Sequence, residues 1–255
     1  MINFKFFQKI KNKIFPFYKK SDLKYVFKKL DEISNKDSKS AMFVGGCVRK
    51  YLNNQNIDDI DIATSATTEQ IRNIFKDTRF KTIDTGIKHG TITLVSQNFK
   101  IELTTLRKDI STDGRHAEVE FTDDWREDSN RRDITINAIY LDKNGKIYDF
   151  HNGVQDLKKN VVKFIGDPEK RIQEDYLRII RFLRFAIQYD STTDKNTIKA
   201  LKLNLNGITN ISKERIFSEL LKILRLENFD NILKHENKKN IFSLIFPEIK
   251  NLEKL

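Results

Sequence analysis

Residues 43–66 read FVGGCVRKYLNNQNIDDIDIATSA, and the order of residue types predicts strand, glycine turn, short helix, polar loop and second strand. The apolar run from Ala41 to Val44 leads into Gly45-Gly46, a helical stretch follows from Cys47 to Leu52, and the second strand carries Asp59-Ile60-Asp61-Ile62. Strand side chains alternate between faces, so Asp59 and Asp61 point one way while Ile60 and Ile62 face a core. Two carboxylates about 7 Å apart on one strand face repel unless a cation sits between them. Magnesium suits that position, because it takes hard oxygen ligands and binds one or two carboxylates together with phosphates. Gly45 and Gly46 let the backbone approach a ligand, and the helix behind them offers N–H groups and a positive dipole end. Arg49, a turn further on, is placed to pair with a phosphate oxygen. A glycine pair alone is usually a turn, and a lone Asp-x-Asp usually a solvated strand. Their combination is far more specific.

Outward from this stretch, a helix is expected from Leu23 to Ile33 and another from Thr67 to Phe75. Strands are expected over 80–83, 91–95 and 99–105. On the last of these Glu102 shares a face with Lys100 and Thr104, and an inward strand glutamate implies a metal or an arginine beside it. Residues 107–118 (RKDISTDGRHAE) lack periodicity and read as a mobile loop near a site. A helix over 123–130 precedes Arg131-Arg132-Asp133-Ile134-Thr135-Ile136-Asn137-Ala138. Asn144-Gly145 marks a hairpin, and 161–165 reads as one more strand. Asp167-Pro168 is an N-cap followed by proline at the first helical position. Helices are expected thereafter over 169–187, 195–203 and 212–226, with one or two shorter ones to the end.

The 255 residues suit one large or two modest domains. Charged residues make up 33% and the formal net charge is +11, a balance that favours polyanionic partners such as nucleic acid. A lysine-rich solubilising surface accounts for the same charge without a partner. The sole cysteine, Cys47, excludes an internal disulfide and a cysteine-rich zinc site. It fits a reducing, cytoplasmic setting and reads as packing rather than as a nucleophile. No run approaches the length of a membrane span. A basic arm, residues 1–22, interleaves six lysines with Phe4, Phe6, Phe7, Ile10, Ile14, Phe15 and Phe17. It suits an RNA or membrane surface, or a leader folded against the rest, and lacks the features of a secretory signal.

GGxVR followed by DIDIAT resembles the signature of the tRNA nucleotidyltransferase/poly(A) polymerase family, in a bacterial, alphaproteobacterial-type branch that includes CCA-adding enzymes. The similarity runs from about Phe43 to about Leu224. It implies an α+β fold: a polymerase beta-like nucleotidyltransferase head with a mixed sheet over residues 23–165, then an all-helical recognition and partial body region over 166–255. RRDITINA resembles the family's RRDFTINA, which carries Arg132 and Asp133 to the ribose and phosphates. EDYLR, residues 174–178, matches the family's EDxxR motif. Asp175 and Arg178, three apart on one expected helix, would share a face, and Arg181 and Arg184 continue the row. Cytosine and adenine each offer an exocyclic amino donor beside a ring-nitrogen acceptor. A carboxylate accepts from the first and a guanidinium donates to the second. Guanine and uracil reverse that order. Standing alone, such a pair is more often an ion pair on a solvated helix.

The resemblance implies template-independent nucleotidyl transfer with two Mg²⁺ ions held by Asp59 and Asp61, and with Glu102 as a third carboxylate. Gly45, Gly46 and Arg49 would hold the triphosphate, and Asp175 and Arg178 the base. Arg181 and Arg184 would brace that pair or touch phosphate. CTP and ATP would be the substrates and tRNA the partner, with the oligomeric state open. Residues 79–91 (RFKTIDTGIKHGT) are similar to the CCA-adding type. Partial addition and poly(A) addition use the same motifs. A catalytically silent RNA-binding relative is the reading from another class, and the intact Asp59/Asp61 pair weighs against it. Lys50 stands where the family motif has aspartate, and Leu255 comes earlier than the usual end of family members. No His–Asp pair is expected among His89, His116, His151 and His235, so no phosphohydrolase side activity is expected.

Overall fold

The structure, a computed structural model, describes residues 21–33, 40–57, 59–97, 99–112 and 117–249. The expected arm, up to residue 20, and residues 113–116 of the expected loop lie outside the described residues. The chain forms two compact units. The first takes in the described residues of Met1–Asp109, Val119–Arg131 and Asn137–His151; the second takes in those of Ile110–Glu118, Arg132–Ile136 and Asn152–Leu255.

The first unit is built on a mixed sheet of seven strands in the order β3-β4-β5-β2-β1-β8-β9. These are β1 (Ala41–Val44), β2 (Asp61–Thr64), β3 (Lys81–Gly86), β4 (Thr91–Ser96), β5 (Phe99–Thr105), β8 (Ile139–Leu141) and β9 (Ile147–Asp149). All neighbours run antiparallel except β2 and β5. Every residue of β1 is buried, as a strand covered on both faces requires. On one face Phe43 meets Phe27 of helix α1 (Ser21–Asp31) with ring centroids 4.8 Å apart. On the other, Met42, Val44, Ala63, Leu106 and Tyr140 form a cluster that Trp125, Tyr148 and Phe150 close. Helix α2 (Gly46–Leu52) follows β1, and α3 (Thr68–Phe75) opens on a Thr67/Gln70 capping box. The β8–β9 hairpin turns where Asn144-Gly145 marks it: Gly145 has φ 82°, and Asp142 Oδ1 accepts from the N–H groups of Asn144 and Lys146.

Residues 107–112 and 117–118 are not an irregular loop. They enter a two-stranded ribbon of β6 (Arg107–Thr112) and β7 (Ala117–Phe121), with Lys108 paired to Glu120 at 3.1 Å. β6 carries no apolar alternation, and that of β7, Ala117, Val119 and Phe121 against Glu118 and Glu120, lies mostly beyond residue 118; cross-strand pairs hold a largely polar strand without a periodic signal. Helix α4 (Trp125–Asn130), capped by Asp124, follows.

In the second unit, α5 (Gly153–Lys158) comes first. The strand expected over 161–165 is reduced to one bridge between Ile134 and Phe164. The single helix expected over 169–187 is two: α6 (Pro168–Glu174), capped by Asp167, and α7 (Leu177–Gln188). Extended backbone at Asp175, φ −158° and ψ 108°, separates them. Helices α8 (Lys195–Leu203), α9 (Lys213–Leu224) and α10 (Glu236–Ile245) complete the unit. Helix α7 is its hub, packed by α9 and α10, and it buries Leu177, Ile179, Ile180, Phe182, Leu183, Phe185, Ala186 and Ile187. Burial on most of its circumference leaves Arg178, Arg181 and Arg184 as the one polar row.

Candidate active site

The candidate residues fall into two sets, each within one unit. The first set gathers on the β1–β2–β5 part of the sheet. Gly45 has φ 72° and ψ −128°, a conformation L side chains rarely adopt, and it turns the chain sharply from β1 into α2. Its carbonyl accepts from the Arg49 N–H at 3.2 Å, which starts the helix. The buried Cys47 thiol donates to the Val44 carbonyl at 3.2 Å and the Asp61 carbonyl at 3.6 Å, fastening α2 to β2. Burial pushes that thiol up to about 11. It is a packing group and not a nucleophile.

Asp59 and Ile60 precede the formal strand, but the Ile60 carbonyl already accepts from Glu102 N–H at 3.1 Å. The expected alternation therefore holds: Ile60 and Ile62 are buried, Asp59 is exposed and Asp61 half-buried. The parallel register sets Asp61 directly beside Glu102, and strand neighbours lie about 4.8 Å apart. Arg49 reaches across to the Asn137 side-chain oxygen, so the asparagine of RRDITINA orients the guanidinium behind the glycine turn.

A carbon added at Gly45 would meet nothing nearer than Asp61 Oδ2 at 3.7 Å, so its substitution is opposed by backbone strain alone. Gly45→Ala is expected to cost about 1–3 kcal/mol in urea denaturation. Gly46→Ala, whose added carbon would lie 3.9 Å from an Arg49 nitrogen without left-handed backbone, is expected to cost much less.

The second set lines α7 and its surroundings. Arg181 holds one oxygen of Asp133 with two nitrogens, Nε at 2.8 Å and Nη2 at 2.7 Å from Oδ2, while Oδ1 accepts from Ile134 N–H. The Asp133 carboxylate raises the Arg181 pKa above its ordinary value. Asp175 and Arg178 are not on one helix, because the chain breaks between α6 and α7. Asp175 is the true cap of α7: Oδ1 accepts from Leu177 N–H at 3.1 Å and its carbonyl from Arg178 N–H at 3.0 Å. Its Oδ2 pairs with Arg215 at 2.7 Å, and Arg178 pairs with Glu174. Arg132 is half-buried nearby in sequence, beside Asp133.

Two participants lie outside the expected site residues. Arg215, in residues 211–216 (ISKERI), a stretch that resembles a further family motif and reads from sequence as structural, holds Asp175. Glu219, 3% exposed, takes Arg184 at 2.8 Å, Lys222 at 2.8 Å and Arg181 at 3.9 Å. The signal for Glu219 was an acid in line with Ile216 and Ile223 on the inner stripe of an amphipathic helix. Burial alone would push its carboxyl up; Arg184, Lys222 and Arg181 outweigh burial and hold it below the ordinary range. Glu219→Ala is expected to cost about 3 kcal/mol in chemical denaturation, since it removes the buried carboxylate that Arg184, Lys222 and Arg181 share. A depressed folded pKa stabilises above the unfolded value and is lost as pH falls through the folded one. The wild-type advantage over Glu219→Gln should therefore be full above pH of about 4.3 and shrink with further acidification.

The expectation of no His–Asp pair is corrected: His235 Nε2 lies 2.9 Å from Asp190 Oδ1, which Lys238 also contacts at 3.1 Å. The pair ties the start of α10 to the end of α7.

Residues 41–163 match the family model described as the poly A polymerase head domain, and residues 192–253 match the one described as the probable RNA and SrmB-binding site of polymerase A. The mitochondrial CCA tRNA nucleotidyltransferase 1 of Homo sapiens is 45% identical over 201 residues, 77% of this chain and 46% of its own length. A CCA-adding enzyme of Staphylococcus haemolyticus is 45% identical over 190 residues, 74% of this chain and 46% of its own. The crystal structure of the Bacillus stearothermophilus CCA-adding enzyme in complex with CTP superposes with TM-score 0.70 at 32% identity, covering 88% of this chain and 51% of the other.

The chain belongs to the tRNA nucleotidyltransferase/poly(A) polymerase family.

It spans about half the length of the curated relatives it matches. Nucleotidyltransferases of this family generally work with a divalent metal. Among the described residues, no group of three or more histidine, cysteine, aspartate and glutamate side chains is placed to hold a metal alone. The donor set here, Asp61 with Glu102 beside it and Asp59 on the same face, fits a hard cation that completes its shell from substrate phosphate, not a protein-only cage. No helix among the described residues is long and apolar enough to cross a membrane.

Proposed function

We propose that this chain adds C and A residues to the 3′ end of tRNA, from CTP and ATP, as CCA-adding relatives are named for doing. The observation that carries the reading is the register of Asp61 beside Glu102 next to the strained turn at Gly45. That arrangement has no structural purpose within the sheet, where adjacent like charges destabilise. In each step the primer 3′-oxygen bonds to the α-phosphorus of the incoming nucleotide. The α–β phosphoanhydride breaks, pyrophosphate leaves, and the hydroxyl proton passes to solvent.

Mg²⁺ on Asp59 and Asp61, with Glu102 beside them, would supply Lewis-acid charge stabilisation and a more acidic 3′-hydroxyl. Gly46 keeps the approach to α2 open for the triphosphate, and Arg49, oriented by Asn137, pairs with its oxygens. Arg132 donates to the sugar-phosphate, while Asp133 acts through Arg181. Asp175 retains acceptor capacity for an exocyclic amino group, and Arg178 retains donors for a ring nitrogen. We assign the chemistry to residues 23–165 and base reading to 166–255, and place the work in the cytoplasm, in keeping with the one buried thiol.

The test is incorporation of labelled nucleotide into RNA with and without Mg²⁺. CTP and ATP should be used, UTP and GTP refused, and chelation should stop the reaction. Poly(A) addition is the second reading, since both matched family models are described by poly(A) polymerase. ATP alone, running on without limit, would select it.

A further inference from the structure

The break between α6 and α7 carries both proposed base-reading residues, and between them stands a residue at a position that EDxxR leaves open. Tyr176 sits between Asp175 and Leu177 with helical backbone, φ −62° and ψ −18°, and is half-buried. Its ring packs against Gly207, in the 3-10 turn Leu205–Asn210. A carbon added at Gly207 would clash with that ring, with Cδ1, Cε1 and Cγ of Tyr176 as its three nearest atoms. Gly207 has no left-handed φ to account for it, so the ring is what requires glycine here. The turn beneath is held in turn: Gly207 N–H donates to the Asn204 carbonyl at 3.0 Å, and Asn204 Nδ2 donates to the Ala200 carbonyl at 2.9 Å.

We propose that Gly207 is the seat for Tyr176, and that this seat positions the Asp175/Arg178 pair for discriminating C and A from U and G. The proposal rests on the base-reading role given above to Asp175 and Arg178. The geometry leaves Asp175 fixed on three sides: Oδ1 to Leu177 N–H, Oδ2 to Arg215, and its carbonyl to Arg178 N–H. All three partners flank or face one extended residue, whose orientation follows that of the next residue in the chain. A ring lodged on glycine fixes that next residue. Displacing the ring rotates the Asp175 backbone and with it the carboxylate and the first turn of α7. Tyr176 and Gly207 touch no nucleotide in this account. They are positioning residues, so the property they control is selectivity rather than the chemical step.

The experiment measures kcat/KM for CTP and for UTP on a primer RNA, with wild type, Gly207→Ala, Tyr176→Ala and the double variant. Gly207→Ala is expected to lower the CTP value by up to about 100-fold, the scale of an ångström-level misplacement, mostly through KM. It should also collapse the CTP:UTP ratio, which loss of folded protein alone would not change. The double variant has no ring to clash with, so it should match Tyr176→Ala and exceed Gly207→Ala. A Gly207→Ala protein that keeps the wild-type ratio overturns the proposal, as does a double variant no better than Gly207→Ala. If Gly207→Ala cannot be obtained folded, Tyr176→Ala decides alone: a reduced ratio supports the seat and an unchanged one overturns it. Wild type that incorporates neither C nor A overturns the underlying function and the proposal with it, a result distinct from an active wild type with an insensitive variant.

Discussion

Asp61→Ala is expected to lower nucleotide addition by about 1000-fold, roughly 4 kcal/mol of transition-state stabilisation, while leaving the fold intact. The magnitude follows from where the charge lies. Asp61 begins β2 on the same face as Met42, Val44 and Ala63, yet its side chain is held beside Glu102 by a parallel register that runs on through Thr64 and Thr105. Four paired positions, not the carboxylate, fix that register. The backbone bond from Glu102 N–H to the Ile60 carbonyl is likewise indifferent to the side chain. Two acids side by side repel, so removing one should keep or raise thermal stability. An activity loss of that size without a fall in melting temperature marks a site kept for function. A melting temperature that fell together with activity would instead make Asp61 a structural residue.

The second large effect is expected at Asp175. Asp175→Asn keeps an oxygen able to accept from Leu177 N–H, so the cap of α7 survives. It loses the ion pair with Arg215 and places an amide donor where the amino group of cytosine or adenine would donate. A hydrogen bond to a charged group is worth about 1.5–3 kcal/mol, so kcat/KM for CTP and ATP should each fall roughly 10- to 100-fold. UTP, whose edge offers an acceptor at that position, should lose less or gain. Arg178→Ala should lower CTP and ATP use by a similar factor without that gain. Equal losses for all four nucleotides would mean that the pair supports the fold and does not read the base.

How far the sequence reveals these features depends on whether the responsible forces are local. Ile60 and Ile62 alternate with Asp59 and Asp61, and alternation is a property of any strand, so that face was readable directly. Asp142-Lys-Asn-Gly145 and Asp167-Pro168 carry their own turn and cap chemistry and form where expected. The ribbon containing Arg107 and Phe121 was not readable over residues 107–118, because β6 is largely polar and the alternation of β7 runs on past residue 118 to Val119 and Phe121. The break at Asp175 was hidden for a different reason. Residues 169–187 have helical periodicity throughout, and what interrupts them is a carboxylate that caps its successor, a distant Arg215, and a ring seated on Gly207. Glu219 was hidden likewise, since its three cationic partners lie on two helices. Helical spacing put Asp175 and Arg178 on one helix, and the break between α6 and α7 overturns that geometry.

The most direct test of CCA addition is to incubate the chain with Mg²⁺, CTP, ATP and a tRNA lacking its last three nucleotides, then to sequence the extended 3′ end. The account predicts C, C and A in that order followed by a stop, and no extension when Asp61 is alanine. Unlimited A addition, or no extension by a wild-type chain that still binds tRNA, would contradict it.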